Sequence, residues 1–218
     1  MKIFLENRII KLSRKPPKVD SANDIVFEYS YLSKLYEAFE VFEKQENLRR
    51  IIFWSADYFP KLKDDFLSLF KYIKAAGGLV KNERNEVLVI FKYGKWDLPK
   101  GKIASIKSQP GSPELKANKT FELPADAAIR EVMEETGLKQ VSIIGKLPST
   151  YHIYYQKDTR YLKKTFWFGM IATSDQPLIP QSDEDISIVK WASHDELPSI
   201  AENSYSSLKK LFQASIKS

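Results

Sequence analysis

The segment PADAAIREVMEETGL, from Pro124 to Leu138, marks both ends of a helix. Pro124 suits a first helical position, where its fixed φ is already helical and its missing N–H would have had no partner. Gly137 suits the left-handed cap that closes a helix. On a helix between them, Glu131, Glu134 and Glu135 fall at i, i+3 and i+4 and share one face. Like charges at that spacing repel by roughly a few tenths of a kcal/mol per exposed pair. They also sit near the C-terminal end, where the helix dipole disfavours anions. Local physics therefore supplies no stabilising reason for the arrangement. Two readings stand open here. One is a tolerated acidic surface; the other is a set of oxygen ligands for a cation, which would reverse the sign of the repulsion.

Composition narrows the second reading. The chain has 218 residues, no cysteine and two histidines, His152 and His194. Disulfides, zinc–thiolate sites, thiol nucleophiles and multi-histidine centres are excluded. A metal would rest on carboxylates and carbonyls, which suits Mg²⁺ or Mn²⁺. A net charge of +6 mildly favours anionic ligands such as phosphates. The basic residues are scattered, and the densest cluster, SRKPPK at 13–18, reads as a solvated loop. Nucleic acid is not an expected partner. The N-terminal run MKIFLENRII is interrupted by Lys2, Glu6 and Arg8, unlike a signal peptide. No stretch approaches the roughly 20 apolar residues of a membrane span. A soluble, cytoplasmic protein is expected.

Residues 1–74 read as a small α/β unit with a candidate dimerisation or partner-binding role. KIFL and RIIKLS flank Glu6-Asn7 as a hairpin, and DIVFEYS and RRIIFWS read as strands. Between these two lies a helix carrying Leu32, Leu35, Phe39 and Phe42. A second helix is expected over about 60–75, with Leu62, Phe66, Leu69, Phe70 and Ile73 on one face. AAGGLV at 75–80 punctuates the chain, and a second domain, 75–218, begins there. It opens with a hairpin through ERNE into VLVIFKYG and KWDLPKGK. A polar loop follows at 103–120, then the helix. Strands are expected at 141–146, 150–156, 161–173 and over ISIVKWA. Ser193 with Glu196 forms a capping box, and an amphipathic helix near 203–216 carries Leu208, Leu211 and Phe212 inward.

The spacing around the helix resembles the Nudix box, G-x5-E-x7-R-E-U-x-E-E-x-G-U with U apolar. Glu122, Arg130, Glu131, Val132, Glu134, Glu135, Gly137 and Leu138 occupy every defined position from its first glutamate onward. The flanking GGLVKN…KWDLPKGK and KKTFWFGM…VKWASHDEL are similar to Nudix domains as well, over roughly residues 76–215. One departure stands out. Gly101, which ends WDLPKG and is preferred to Gly111 as the motif glycine, lies twenty residues from Glu122 instead of five. An inserted loop of that size is thermodynamically mild.

The resemblance implies an α/β (α+β) fold: a Nudix-type mixed-sheet α/β/α sandwich, preceded here by the small N-terminal unit. It implies a pyrophosphohydrolase that uses Mg²⁺ (or Mn²⁺) to cleave a nucleoside diphosphate linked to another moiety. A dinucleoside polyphosphate is one candidate, and a nucleotide or polyphosphate is the expected small-molecule partner. Glu131, Glu134 and Glu135 would bind metal, with the Lys100 carbonyl as a further ligand and Glu122 supporting the shell. Arg130 would hold the carboxylates in place. The general base would be Glu134, Glu135, or a carboxylate of QSDEDISIVKW, with Glu184 and Asp185 favoured. Substrate handles would be Lys102, Lys163 and Lys164 for phosphates, and Tyr151, His152 and Tyr154 of TYHIYY for a base. The contrasting reading is a ligand sensor or partner-binding protein that keeps the fold without turnover. The intact box favours the enzyme.

Overall fold

The computed structural model describes residues 1–18, 22–106 and 120–216. In chain order the elements are β1 (Lys2–Leu5), β2 (Arg8–Ser13), β3 (Asp24–Glu28), α1 (Leu32–Lys44), β4 (Arg50–Trp54), α2 (Phe59–Ser68) and β5 (Lys71–Lys81). There follow β6 (Val87–Lys92), β7 (Lys95–Asp97), β8 (Lys100–Lys102), β9 (Ser105–Ile106), β10 (Thr120–Phe121) and α3 (Pro124–Thr136). The chain ends with β11 (Ser142–Gln156), β12 (Thr159–Ile171), β13 (Ile186–Ala192), α4 (Leu197–Glu202) and α5 (Lys209–Ile216). The fold is mixed α/β. It divides into two compact units, one of Met1–Ile73 with Thr150–Lys164 and one of Lys74–Ser149 with Thr165–Ser218.

In the first unit, β1 and β2 pair antiparallel across Glu6, whose φ of 53° is left-handed. β2 and β3 each pair parallel with β4, and β1 pairs parallel with the hairpin arm of β11, Phe4 opposite His152. Alternation along the strands puts Ile3, Leu5, Ile10, Leu12, Ile51 and Phe53 on one face. Leu35, Phe39 and Phe42 of α1 and Leu62 and Phe66 of α2 close over it. Leu32 does not join them: it sits in the first helical turn and is 43% exposed. Phe39 meets Phe66 and Phe70 edge-on, at 5.7 and 5.5 Å.

The expected helix over 60–75 ends at Ser68, although its apolar spacing runs on to Ile73. The Leu69 amide turns back onto the Phe66 carbonyl at 3.3 Å, a tightened last turn, and from Lys71 the backbone belongs to β5. Phe70 remains buried without being helical.

Asp65 is a buried carboxylate of this unit, at 6% exposure. Its carboxylate accepts hydrogen bonds from the Tyr29 hydroxyl and the Lys61 ammonium, each at 2.6 Å. Burial opposes its charge, yet those two bonds prevail and hold its pKa below the usual carboxylate range. Burial, with Asp65 beside it, pushes the Tyr29 hydroxyl up to about 12. A lowered carboxylate pKa stabilises the fold above the unfolded value, near 3.9, and that contribution fades as pH falls through the folded one. Asp65→Asn should therefore cost about 1–3 kcal/mol at pH 7, with the smaller part due to the exposed Lys61. In urea titrations the gap from wild type should narrow below pH ~4; a gap that is equal at pH 7 and pH 3 would count against this account.

In the second unit the strand order is β13-β6-β5-β12-β11, with β7 on β6 and β8 on β5. Ala127, Ala128 and Val132 of α3 pack against Ala76, Val80, Leu88, Phe168 and Met170 on one face. Leu197, Ile200, Leu208, Leu211 and Phe212, from α4, α5 and the turn between them, cover Val87, Val89, Leu98 and Trp167 on the other. This is an α/β/α sandwich.

AAGGLV lies inside β5 rather than in a turn, while the boundary between the two units falls just before it, between Ile73 and Lys74. A Cβ on Gly77 would overlap the Pro99 carbonyl and Lys100, and one on Gly78 would meet Met170 Sδ at 2.6 Å. These glycines answer close packing rather than a turn. Where two strands were expected at 141–146 and 150–156, β11 runs unbroken through Pro148. Helix α5 starts at Lys209, later than expected, because Asn203 and Ser204 are engaged with Trp96. β9 and β10 pair across the ends of the 103–120 loop, and residues 107–119 of that loop lie outside the described residues. Among the described residues, no helix is long and apolar enough to cross a membrane.

Candidate active site

Helix α3 forms as its sequence predicts. Pro124 stands in the first turn, Leu123 offers no side-chain cap, and Gly137 closes the helix at φ 79°. Gly137 N–H reaches the Met133 carbonyl at 2.9 Å. A Cβ on Gly137 would also meet Ile179 Cβ at 2.7 Å, so this position excludes a side chain twice over. Val132 is fully buried under the sheet, which turns the glutamate face toward β8.

Arg130 gathers that face. Its Nε and Nη2 make a two-pronged contact with Glu122, at 2.9 and 2.8 Å. Its Nη1 donates to Glu131 at 2.7 Å and to Glu134 at 2.9 Å, and its Nη2 also reaches the Lys102 carbonyl at 3.1 Å. One guanidinium thus ties three box carboxylates to the strand that carries Gly101. Charge-assisted, forked contacts of this kind fix geometry as well as charge. Hydrogen bonding from Arg130 pulls the Glu122 pKa down, against partial burial. The Glu131 carboxyl goes the other way: burial raises it in spite of Arg130.

Gly101 is held by packing. A Cβ there would overlap the Glu131 carboxylate. With the Glu131 carboxylate held there by Arg130, a side chain at 101 would displace it, which supports Gly101 over Gly111 as the motif glycine.

Glu135 is 2% exposed. Its Oε2 accepts the Lys100 backbone N–H at 2.6 Å, and its Oε1 lies 3.9 Å from Lys92 Nζ. Burial pushes its carboxyl up to about 7, although Lys100 and Lys92 favour the charged form. Beside it, the Lys100 ammonium bonds to Asp97 at 2.6 Å. Burial works against that ammonium, but Asp97 and Glu135 outweigh it and hold the Lys100 pKa above its ordinary value.

The acidic loop before β13 separates by residue. Glu184 receives Lys92 Nζ at 2.8 Å, which lowers its pKa, and the charges of Lys102 and Lys100 add to the effect. Lys92 therefore links Glu184 to Glu135. Asp185 instead accepts the Tyr93 hydroxyl at 2.8 Å and takes a left-handed backbone at φ 58°. Sequence reasoning missed Lys92, Tyr93 and Asp97. The only signal for Lys92 was a lysine breaking the apolar run VLVIF, and its partners lie 43 and 92 positions away.

Of the expected substrate residues, Lys102 lies in the second unit, whereas Tyr151, His152, Tyr154, Lys163 and Lys164 fall in the first. His152 and Tyr154 lie 5.4 Å apart, Lys163 is 5.4 Å over Tyr154, and Lys164 is 5.7 Å over Tyr151. Tyr151 packs toward the helix-covered core, so it shares no face with His152 and Tyr154.

Among the described residues, no three carboxylates converge as a ready ligand set. Arg130 Nη1 bridges Glu131 and Glu134. The chemistry fits a hard cation nonetheless. The donors are carboxylate oxygens, two of them are raised by burial, and one, Glu135, is nearly inaccessible to water.

A family profile for the NUDIX domain matches residues 71–213. Solved structures with a similar fold include the MutT protein from Methanosarcina mazei Go1, at 21% identity, 68% of this chain, 95% of that chain and a TM-score of 0.43. Others are a C. elegans Ap4A hydrolase in a binary complex, at 22%, 65%, 93% and 0.41, and a NUDIX hydrolase from Nitrosomonas europaea, at 19%, 67%, 89% and 0.44. None of the curated proteins matches the chain. With that profile spanning the strands and the helix just described, the chain belongs to the NUDIX domain family of pyrophosphohydrolases.

Proposed function

We propose that the glutamate face of α3 carries out divalent-cation-dependent hydrolysis of a pyrophosphate bond in a nucleoside diphosphate linked to a second moiety, a dinucleoside polyphosphate being one such substrate. The observation that carries this reading is the single guanidinium of Arg130 holding Glu122, Glu131 and Glu134 against the strand of Gly101, with Glu135 buried beside them. Glu131, Glu134 and Glu135 would hold Mg²⁺ or Mn²⁺, with the Lys100 carbonyl and Glu122 supporting it. When bound, the cation would neutralise charge on the attacking and bridging oxygens.

The chain's own groups do the rest. Arg130 keeps the carboxylates at a fixed spacing. Lys102 supplies positive charge for the phosphates. Glu184, kept ionised by Lys92, takes the proton of the attacking water. Asp185 is a weaker candidate for that role, because its carboxylate already accepts the Tyr93 hydroxyl.

The test is a panel of nucleoside diphosphate derivatives and dinucleoside polyphosphates with Mg²⁺ or Mn²⁺, comparing wild type, Glu134→Gln and Glu184→Gln. Glu134 is the most exposed of the three helix carboxylates, at 48% of its side chain. Its substitution should lower kcat roughly 10- to 100-fold and raise the metal concentration needed for half activity. Glu184→Gln should lower kcat and leave the metal requirement unchanged. A wild-type protein that turns over nothing on the panel while binding a nucleotide tightly would sink the enzymatic reading in favour of a sensor.

A further inference from the structure

The first unit's sheet has a second face, opposite the one that α1 and α2 cover. The pairing of Phe4 with His152, and of Lys2 with Lys11, defines it. Alternation then carries it across the hairpin to Tyr154, Tyr161 and Lys163. The rings on it are organised. Tyr154 and Tyr161 stack at 5.1 Å with 11° between planes, and His152 continues the row 5.4 Å from Tyr154. Each end of the row carries a lysine. Lys163 lies 5.4 Å over Tyr154, Lys71 lies 5.8 Å over Tyr161, and Lys2 lies 4.5 Å over Phe4. Phe4, His152, Tyr154 and Tyr161 are all partly exposed. On this face, β1, β2 and the two arms of the hairpin contribute no aspartate or glutamate.

This is an unusual use of side chains for a sheet surface. An ordinary solvated face mixes both signs of charge and few rings. A row of partly exposed aromatic rings bordered by Lys2, Lys71 and Lys163 suits a ligand that is both planar and polyanionic. Every base has a π-face, and every linkage of a polynucleotide carries a negative charge. Duplexes hide their base faces, so the matching form is single-stranded.

We propose that this face binds single-stranded nucleic acid, with successive bases stacking on the His152–Tyr154–Tyr161 row and the backbone tracking Lys2, Lys71 and Lys163. The site lies wholly within the first unit and does not depend on the hydrolytic reading of α3. In the sequence, His152, Tyr154 and Lys163 read only as handles for a small-molecule substrate, and strand pairing is what adds Phe4, Tyr161, Lys2 and Lys71 to them. The lysines come from three separate strands, and no two of them are adjacent in the chain.

The test uses the full chain and fluorescein-labelled U12 and dT12, read by anisotropy between 50 and 200 mM salt. Saturable binding is expected, with log K falling with log salt at a slope of about −2 for three phosphate contacts. Lys71→Gln with Lys163→Gln should flatten that slope by ~1.4. Tyr154→Ala with Tyr161→Ala should weaken binding by roughly thirtyfold or more, the effect of losing two base stacks. The paired Tyr→Phe variant preserves the rings and should bind as wild type, which guards against a misfolded alanine variant. Glu134→Gln should also bind as wild type. Binding of either U12 or dT12 supports the proposal, and a preference between them identifies the nucleic acid. Four outcomes would overturn it: no binding of either strand, equal binding of a duplex of the same length, weakened binding in Glu134→Gln, or competition by UMP as effective per nucleotide as by unlabelled U12.

Discussion

Gly101→Ala is expected to lower kcat/KM by more than about a hundredfold, although it adds one methyl group at a residue that binds nothing itself. The new Cβ would occupy the place of the Glu131 carboxylate. Either that carboxylate leaves its bond to Arg130 Nη1 or β8 moves away from α3. In the second case the Lys100 N–H bond to Glu135 and the antiparallel register of Gly101 with Ala76 are strained together. Overpacking of this kind typically costs about 1–3 kcal/mol, so a lowered melting temperature should accompany the kinetic loss. A double-mutant cycle with Glu131→Asp separates the two effects. Shortening Glu131 by one methylene relieves the clash, so the double variant should regain stability without regaining activity. Wild-type activity in Gly101→Ala would show that the strand and helix are not held together as described.

Deleting residues 1–74 is expected to yield an aggregating protein. The sequence alone, in which residues 1–74 read as a separate unit, suggests a milder outcome for a truncation near Ala75: lower stability or loss of a dimer, with the metal site intact. The structure adds Thr150–Lys164 to that unit. Ile153 and Leu162 of the hairpin are 2% and 0% exposed, and they are buried in the cluster built by β1, β2, β4, α1 and α2. Uncovering both would cost about 3–6 kcal/mol, a large share of the roughly 5–15 kcal/mol that holds a domain folded. The deletion also strips β1 from the arm of β11, leaving an unpaired edge beside exposed apolar residues. A second deletion, in which residues 150–164 are also replaced by a two-residue turn between Ser149 and Thr165, removes the orphaned apolar surface and should be soluble. Light scattering and thermal melts of the two deletions decide the matter. A simple deletion that stays monomeric and melts like the parent domain would refute the shared core.

These two cases show what each level of description contributes. The strands KIFL, RIIKLS and ISIVKWA and the ends of α3 were legible because hydrophobic alternation, a proline and a capping glycine act over a few residues. The chemistry of α3 was legible for the same reason: i, i+3 and i+4 fix a common face wherever the helix sits. The end of α2 was not legible. Apolar spacing to Ile73 satisfies a helix, and only the competing hydrogen bonds of β5 cut it short. Gly77 and Gly78 misled for a related reason. A glycine demanded by a neighbouring chain looks in sequence like a glycine demanded by a turn.

By itself, then, the sequence determined the acidic helix, its arginine and glycine companions, and the kind of ion they would suit. All of these lie within 37 positions, from Gly101 to Gly137, at spacings set by local backbone geometry. Tertiary structure alone decided which glycine meets Glu131, that Lys92 joins Glu184 to Glu135, and that a hairpin far along the chain completes the first unit. Those outcomes depend on contacts between residues distant in sequence, where burial and close approach, rather than helical or strand periodicity, select the partners.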